Sequence, residues 1–396
     1  MKNLDTSVPV LVLGGKENSL SLVRHLSSHG IRVSVSGPAN CWGLYSRHAA
    51  KRFRIPRAVD PANYWSDLLL SGRHELDGHM VMPCSDHAIT FIADNHAALA
   101  GRYVLDEGKP ELRKALLDKQ ETLALARKAG VATPNSWSVA PGQDLSRMRE
   151  EITFPVMVKP LHSHLFSQVF GRKLFIVEDG FDTLVKRVAE AHAHGLEVMV
   201  MEMIPGPDDL LSSYYTYMDA EGARYFDFTK RIVRRFPVNR GGACYHATEW
   251  LPETAEVGRK FFEGIGFAGL GNVEFKRDLR DGKLKLIEAN ARFTAAQELA
   301  LRAGAPIDLI VYRHLTGQGA PMFREFRQEL YFWYPISDFL AFVQLNGRGD
   351  LKFGEWVRSV AGTKRVDPLF SLSDPLPLLG AADAVLRKLV AGGWRA

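Results

Sequence analysis

The sequence predicts an α/β chain in which a parallel βαβ domain comes first and a mixed α+β region follows. The N-terminus alternates apolar runs with a helical pattern, and several short apolar strands follow in the middle of the chain. A stretch near residue 280 has the alternating polarity and the turn of a β-hairpin. At 396 residues the chain is too long for one ordinary core, so two or three domains are expected.

The first element is an apolar run at 8–13 that ends in paired glycines. A helical pattern and a second strand at 31–35 complete a βαβ unit, which predicts a Rossmann-like domain with a parallel sheet. An NAD-dependent oxidoreductase is disfavoured, because the glycines do not form GxGxxG and the second strand ends in Ser36 where an acidic residue is needed. Gly15, Lys16 and the following helix N-terminus are instead available to a substrate anion.

A further strand of this domain, at 79–82, leads into the sequence Pro-Cys-Ser-Asp at 83–86. Ser85 or Asp86 is expected to cap the next helix. A substrate contact is the alternative, because ligands bind at the carboxyl ends of parallel strands. The domain is expected to close near residue 105.

Two lysines stand out in the middle of the chain. A helical pattern over 110–130 contains Lys119, and the apolar strand at 154–160 contains Lys159 near its end. A lysine inside an apolar strand is costly unless it meets an anion. Lys159 therefore indicates an anion at the end of this strand.

The segments that follow are polar or basic. A bulky polar loop at 162–173 ends in Lys173, and a strand at 198–201 leads into Glu-Met-Ile-Pro-Gly. A basic stretch comes next, and its arginines are candidates for holding a carboxylate or phosphate. At most two of the four are expected to be functional: Arg231, Arg234, Arg235 and Arg240.

The hairpin pattern has Asp-Gly at its turn near residue 281. If the turn centres there, Glu274 lies opposite Glu288, and Asn290 shares the face of Glu288. Three oxygen ligands then converge, which suits Mg²⁺ with substrate phosphates completing its shell. Arg292 follows on the same face and would place a cation beside the metal. An exposed hairpin with solvated acids is the alternative interpretation.

Composition narrows the partners and the compartment. A net charge of +5 suits anionic small substrates and is too dilute to indicate nucleic acid. The three cysteines are widely spaced and form neither a disulfide framework nor a CxxC motif, which fits a reducing cytoplasm. The N-terminus lacks a signal-peptide pattern and no apolar run reaches transmembrane length, so we expect a cytoplasmic protein without a membrane partner.

In combination, the ordered motifs of the chain resemble the ATP-grasp superfamily over residues 1–315. No single segment is specific, but six of them occur in the expected order. They are Asp118-Lys119, Gly-Val-Ala-Thr-Pro, Phe-Pro-Val-Met-Val-Lys-Pro, Met-Glu-Met-Ile-Pro-Gly, Val-Glu-Phe and Glu-Ala-Asn-Ala-Arg. The resemblance implies a Rossmann-like pre-ATP-grasp domain (1–105), a two-lobed ATP-grasp domain (106–315) with its hinge near 202–206, and a C-terminal extension (316–396) packing on the core.

The resemblance also implies the nucleotide-binding residues. By position, Lys119 and Lys159 would hold the phosphates of ATP. The hinge backbone would read the adenine edge, and Asp209, preferred over Asp208, would bind the ribose. The hinge residues are Glu202, Met203 and Ile204.

The catalytic set follows in the same way. Glu274, Glu288 and Asn290 match the metal ligands of the superfamily, and Arg292 matches the cation that faces the transferred phosphate. Lys173, in the flap over the phosphates, and Arg231 complete the implied set.

In this superfamily ATP phosphorylates a substrate carboxylate, and an amine then displaces phosphate from the acyl phosphate. The first domain and the tail resemble the D-aspartate-ligase-like and carbamoyl-phosphate-synthase-like branches. The resemblance therefore implies a carboxylate–amine ligase that uses ATP and Mg²⁺, with Mn²⁺ able to substitute. Its partners would be a small carboxylate and an amino-acid-like amine, with no nucleic acid, and a homodimer is expected from the resemblance alone.

Two other functions remain open. One is an ATP-dependent carboxylase or carbamoyl-forming enzyme of the same superfamily, which would need bicarbonate. The other is a nucleotide-binding regulatory protein that has lost catalysis. The complete set of presumed metal ligands argues against the second.

Overall fold

The computed structural model describes residues 4–72, 74–161, 166, 169–172, 174–378 and 380. Lys173, most of the loop at 162–173 and the end of the C-terminal extension lie outside the described residues. Within the described ranges, no helix is both long enough and apolar enough to cross a membrane.

The N-terminal part is a four-stranded parallel sheet with helices, as the sequence predicts. Its elements are β1 (Val10–Leu13), α1 (Glu17–Ser28), β2 (Val33–Gly37), β3 (Lys51–Arg54), α2 (Pro61–Leu69), β4 (Met80–Pro83), α3 (Asp86–Asp94) and α4 (His96–Ala100). The strand order is β3-β2-β1-β4, so the loops after β1 and β4 are neighbours. They pack tightly: a side chain on Gly14 (φ 72°) would come within 2.3 Å of the Ser85 hydroxyl.

Two short helices precede the second sheet, where the sequence pattern indicates one long helix. They are α5 (Pro110–Ala115) and α6 (Lys119–Lys128). The Asp118 side chain accepts hydrogen bonds from the backbone N–H groups of Gln120 and Glu121, which caps α6 and ends any continuous helix. The prediction of one helix over 110–130 is therefore wrong, although Lys119 does lie in a helix, as the first residue of α6.

The second sheet is small and antiparallel. Its strands are β5 (Ser136–Val139), β6 (Val156–Pro160), β7 (Phe175–Val177) and β8 (Val198–Glu202), and α7 (Phe181–Ala193) packs on them. The order is β5-β8-β6-β7. Strand β6 carries Lys159 near its end, and its neighbour β8 ends at Glu202, which pairs with Val156 at the start of β6.

The third sheet has seven strands in the order β13-β12-β9-β10-β11-β14-β15. Its strands are β9 (Leu211–Met218), β10 (Arg224–Phe236), β11 (Gly242–Thr248), β12 (Gly269–Arg277), β13 (Leu284–Asn290), β14 (Leu330–Trp333) and β15 (Lys364–Val366). The interspersed helices are α8 (Pro252–Gly264), α9 (Gln297–Arg302), α10 (Ile307–Leu315), α11 (Pro335–Gly347) and α12 (Phe353–Val360). The predicted hairpin is β12–β13.

One core joins the N-terminal sheet to the large sheet. Val12 and Leu22 belong to the same buried cluster as Tyr217, Phe228 and Leu299. Strands β14 and β15, from the predicted extension, continue the large sheet beyond β11. The boundaries at 105 and 315 stay predictions. Short 3₁₀ turns lie at Trp42–Tyr45, Ser146–Met148 and Asp208–Leu210.

Candidate active site

A row of polar side chains crosses five neighbouring strands of the large sheet. Glu288 pairs directly with Glu274, and Glu274 pairs with Ser213. Ser213 pairs with Lys230, which in turn pairs with Thr248. Directly paired residues of antiparallel strands share a face, so these five side chains lie on one side of the sheet. The predicted pairing of Glu274 with Glu288 is confirmed.

The two carboxylates form a site of concentrated negative charge. Burial raises the pKa of the Glu274 carboxyl, Lys230 opposes that rise and the like charge of Glu288 adds to it. Two facing carboxylates repel each other unless a cation lies between them. The pair therefore favours a bound cation.

Asn290 adds a third oxygen beside this pair. Its amide nitrogen donates to Asn272 Oδ1 at 3.2 Å, and the Asn272 amide donates to the Tyr214 carbonyl at 3.1 Å. Both asparagines are buried. Because the nitrogen of Asn290 is committed to Asn272, its oxygen is the atom left to face a cation.

This donor set suits a hard divalent cation. Within the described residues, no group of three or more His, Cys, Asp and Glu side chains is arranged to hold a metal. Two carboxylates and an amide oxygen leave coordination positions for waters and phosphate oxygens, which is how Mg²⁺ binds in nucleotide sites. Glu274, Glu288 and Asn290 therefore fit the metal that the sequence implies.

Lys159 and Lys119 lie near each other and near Glu288, and we refer to the region between these lysines and the polar row as the cleft. Burial and the charge of Lys119 together lower the pKa of Lys159 to about 8, although Glu288 opposes both. Two cations held close together at a half-buried position favour an anion between them. The arrangement is suited to the phosphates of a nucleotide.

The hinge segment is tied down by its own side chains. Glu202 accepts hydrogen bonds from the Asn135 backbone N–H at 3.0 Å and from Arg280 at 2.5 Å. Lys276 donates to the carbonyls of Ile204 at 2.9 Å and Gly206 at 2.7 Å. The Glu202 N–H donates to the Asn135 carbonyl.

The backbone N–H of Met203 is also occupied, because it donates a hydrogen bond to the Pro155 carbonyl. Any base contact made by the hinge therefore uses its remaining backbone groups.

Of the two aspartates after the hinge, the buried one is Asp208. Its Oδ2 accepts from the Asn239 N–H at 3.0 Å, and its Oδ1 is buried without a hydrogen-bond partner among the described residues. Asp209, the residue that the sequence interpretation prefers, is exposed. Arg235 Nε lies 3.9 Å from this Oδ1, too far for a hydrogen bond, so Asp208 is the stronger candidate for a ligand hydroxyl.

Arg292 joins the hairpin to the N-terminal sheet. Its Nε donates to Asp86 Oδ1 at 2.6 Å. Asn18 fixes the same junction, since its amide donates to the carbonyls of Cys84 and Phe293, each at 2.8 Å. Ser85 caps α3, so the neighbouring Asp86 carboxylate is free of capping and faces Arg292. The N-terminal sheet thus contributes a charged group to the cleft.

The basic stretch needs a correction at Arg231. It pairs with Ser212 and Ala247, one position out of step with the polar row, so it lies on the opposite face of the sheet from Glu274. There its Nε pairs with Glu249 at 2.6 Å. Arg231 therefore does not share the face of the carboxylate pair, which argues against its predicted catalytic role, and its neighbour Lys230 occupies the facing position.

Two further arginines of this stretch, Arg234 and Arg235, differ in their surroundings. Arg234 is buried and holds both oxygens of Asp338, at 2.6 and 3.0 Å, so its role is structural. Arg235 lies close enough to the cleft to lower the pKa values of Glu274 and Lys159. Arg235 is therefore the arginine of this stretch best placed for an anionic ligand.

Sequence reasoning missed Lys230, Ser213, Asn272 and the partnership of Asp86 with Arg292. The sequence signal for Lys230 was the same as for Lys159, namely a lysine that continues an apolar, aromatic strand. In the structure Lys230 is buried. Burial lowers the pKa of Lys230, and Glu274 opposes that shift. The Arg292–Asp86 pair spans 206 positions in sequence and left no local signal.

The geometry and the solved neighbours agree on the class of protein: this chain has the ATP-grasp fold. N5-carboxyaminoimidazole synthetase from Staphylococcus aureus superposes with a TM-score of 0.60 at 15% identity, covering 81% of this chain and 80% of that one. The L-amino acid ligase from Bacillus licheniformis gives a TM-score of 0.57 at 14% identity, covering 79% and 75%. At these identities the similarity establishes the fold alone.

Sequence relatives point more narrowly, to ligases. The chain is 25% identical over 224 residues to D-aspartate ligase of Enterococcus faecium, covering 54% of this chain and 53% of the relative. It is 28% identical over 230 residues to D-alanine–D-alanine ligase of Chromohalobacter salexigens, covering 52% and 67%. No family model matches the chain. The chain thus spans about half the length of the first relative, and the predicted resemblance to the ATP-grasp superfamily is confirmed.

Proposed function

We propose that this protein is an ATP-dependent carboxylate–amine ligase. It would activate a small carboxylate as an acyl phosphate and join it to an amine, releasing ADP and phosphate. The observation that carries the proposal is the polar row in which Glu288, Glu274 and Lys230 share one face. The two ligase relatives support it independently.

The charges of the site residues suggest which ligand each of them binds. Lys119 and Lys159 hold the nucleotide phosphates, and Glu274, Glu288 and Asn290 hold Mg²⁺, for which Mn²⁺ would substitute. The metal polarises the γ-phosphate when bound. Adjacent strands lie about 4.8 Å apart, so the backbones of Lys230 and Glu274, two strands from each other, are about 10 Å apart. Lys230 would therefore neutralise an anion that is held on the same face as Glu274.

Arg292 is placed to hold the substrate carboxylate while it becomes an acyl phosphate. A guanidinium binds two oxygens at once, which orients the anion as well as neutralising it. Asp86 keeps Arg292 in place and offers a negative charge to the ammonium of an amino-acid substrate. Lys173, outside the described residues, stays a proposed phosphate contact in the flap.

Solved neighbours support the cofactors. The 2-oxoglutarate carboxylase biotin carboxylase domain of Hydrogenobacter thermophilus was solved as a dimer with MgADP, ADP and bicarbonate. It covers 81% of this chain at 19% identity. We propose MgATP for this protein and, by the same comparison, a homodimer, which light scattering on the purified protein would test.

The direct test is a screen of amino acids and small carboxylates for ADP release with MgATP. A ligase releases ADP in response to an acid and an amine together, whereas the rival carboxylase requires bicarbonate. Hydroxylamine should trap the acyl phosphate as a hydroxamate. No ADP release with any acid–amine pair, combined with bicarbonate-dependent turnover, would replace the ligase by the carboxylase.

Arg292→Lys separates a catalytic arginine from a structural one. The variant keeps the charge and loses the fork, so hydroxamate yield should fall more than ATP affinity does. Unchanged trapping with a lowered melting temperature would leave Arg292 as only the partner of Asp86.

A further inference from the structure

Two histidines stand one turn apart at the C-terminal end of α1, on the far end of that helix from the cleft. His25 and His29 are four residues apart, and their Nε2 atoms are 3.2 Å from each other. Their ring centroids are 4.8 Å apart with the rings nearly perpendicular. Residues four apart share a helix face, so both side chains project from the same side of α1.

A buried carboxylate orients one of the two rings. The Nδ1 of His25 contacts both oxygens of Asp308, at 2.9 and 2.8 Å. Asp308 lies on α10 and is fully buried, and one of its oxygens also accepts the Leu309 N–H at 3.0 Å. In the neutral ring the proton therefore sits on Nδ1, which leaves the Nε2 of His25 with its lone pair facing His29.

The charges around the pair are balanced. Glu298 and Arg302 face His25, and Arg313 lies near His29. Burial lowers the pKa of His25, but the hydrogen bond and charge of Asp308 outweigh burial and raise it above its ordinary value. Burial and the charge of His25 lower the pKa of His29.

We propose that His25 and His29 form a binding site for a borderline-soft divalent transition-metal ion such as Zn²⁺, separate from the Mg²⁺ site of the cleft. Two Zn–N bonds of about 2.0–2.1 Å at the tetrahedral angle place the nitrogens about 3.3–3.4 Å apart, close to the separation found here. The Asp308 contact is the carboxylate–histidine arrangement that orients imidazole ligands toward a metal.

Imidazole nitrogens discriminate between the two kinds of ion. Mg²⁺ prefers carboxylate and water oxygens, whereas imidazole suits Zn²⁺, Ni²⁺ and Cu²⁺. His29 is exposed, so water or buffer completes the coordination. The proposal does not depend on the ligase function, because no residue of the polar row takes part in it.

The experiment is calorimetric titration of Zn²⁺ into the metal-stripped full-length protein at pH 7 with saturating Mg²⁺. His29→Gln should weaken the tightest Zn²⁺ event by more than tenfold, since even losing a group that orients a ligand costs about tenfold. His74→Gln is the matched control: His74 is exposed and contacts Asp77 at 2.7 Å, but position 78 is glycine, so it lacks a histidine one turn on.

Copper gives a second, spectroscopic readout. Cu²⁺ bound to the wild type should show coupling to two imidazole nitrogens in its paramagnetic resonance spectrum, and His29→Gln should lose one of them. Zn²⁺ affinity that is the same in His29→Gln and the wild type would overturn the proposal, as would equal losses in the His29 and His74 variants. ADP release by the wild type is measured separately and decides only the proposed function.

Discussion

Lys159→Met should stabilise the protein while abolishing its response to ATP. The wild-type ammonium is held against burial and against Lys119, which lower its pKa from 10.5 to about 8. A shift of this size corresponds to about 3 kcal/mol of penalty on the charged form in the folded state. Methionine keeps the apolar stem and removes the charge. At pH 7 the variant should be more stable by up to about 3 kcal/mol, less whatever water screens.

The sign of the effect fixes its pH dependence. The folded pKa of Lys159 lies below its unfolded value, so the wild type carries the full penalty below about pH 8. As pH rises toward 10.5 the lysine loses its proton in both states and the penalty disappears. The stability advantage of Lys159→Met should therefore shrink steadily between pH 8 and pH 10.5.

Thermal unfolding with and without MgATP measures both effects. The wild type should gain melting temperature with MgATP, since a ligand of the folded state raises it, and the variant should gain none. Lys128→Met, on the exposed face of α6, is the control and should change neither property. A variant less stable than the wild type at pH 7, or an advantage independent of pH, would refute the buried-charge argument.

Four further substitutions test the site and its support. Glu288→Gln should leave the melting temperature equal or higher, because it removes a like charge beside Glu274. The variant should also lose most of its ADP release, and near-normal release would contradict the metal assignment. Lys230→Met should lose turnover and Arg231→Met should keep it, since the two side chains lie on opposite faces; comparable losses in an ADP assay would contradict that placement. Asn18→Ala should lower the unfolding free energy by about 2 kcal/mol in denaturant titrations, because two buried carbonyls lose their hydrogen-bond donor. A change near zero would show that water replaces the lost amide donor.

The hairpin was predictable because its information is local. An Asp-Gly turn fixes the register of two adjacent strands, and strand alternation then places Glu274 and Glu288 together. The parallel N-terminal sheet was predictable for the same reason, from apolar runs separated by one helical pattern.

Other features depend on information that one sequence does not carry locally. Lys230 and Arg231 are adjacent basic residues, and only the pairing of β10 with β9 decides which of them faces the carboxylates. The Asp86–Arg292 pair requires the packing of two sheets. The break between α5 and α6 was missed because the helical periodicity outweighed Asp118, an N-cap residue that was visible in the sequence.

The polar row has a consequence for how the protein can vary. Because each member is held by its place in a pleated ladder, a single-residue insertion within β12 would replace Glu274 on the cleft face by Phe275 or Val273. A two-residue insertion would restore the face but carry the carboxylate about 7 Å along the strand, past Glu288. Substitutions are therefore tolerable in these strands where changes of length are not. Length variation among related chains should accumulate in the connecting turns, such as 219–223 and 278–283, while β9, β10 and β12 keep a constant length and register.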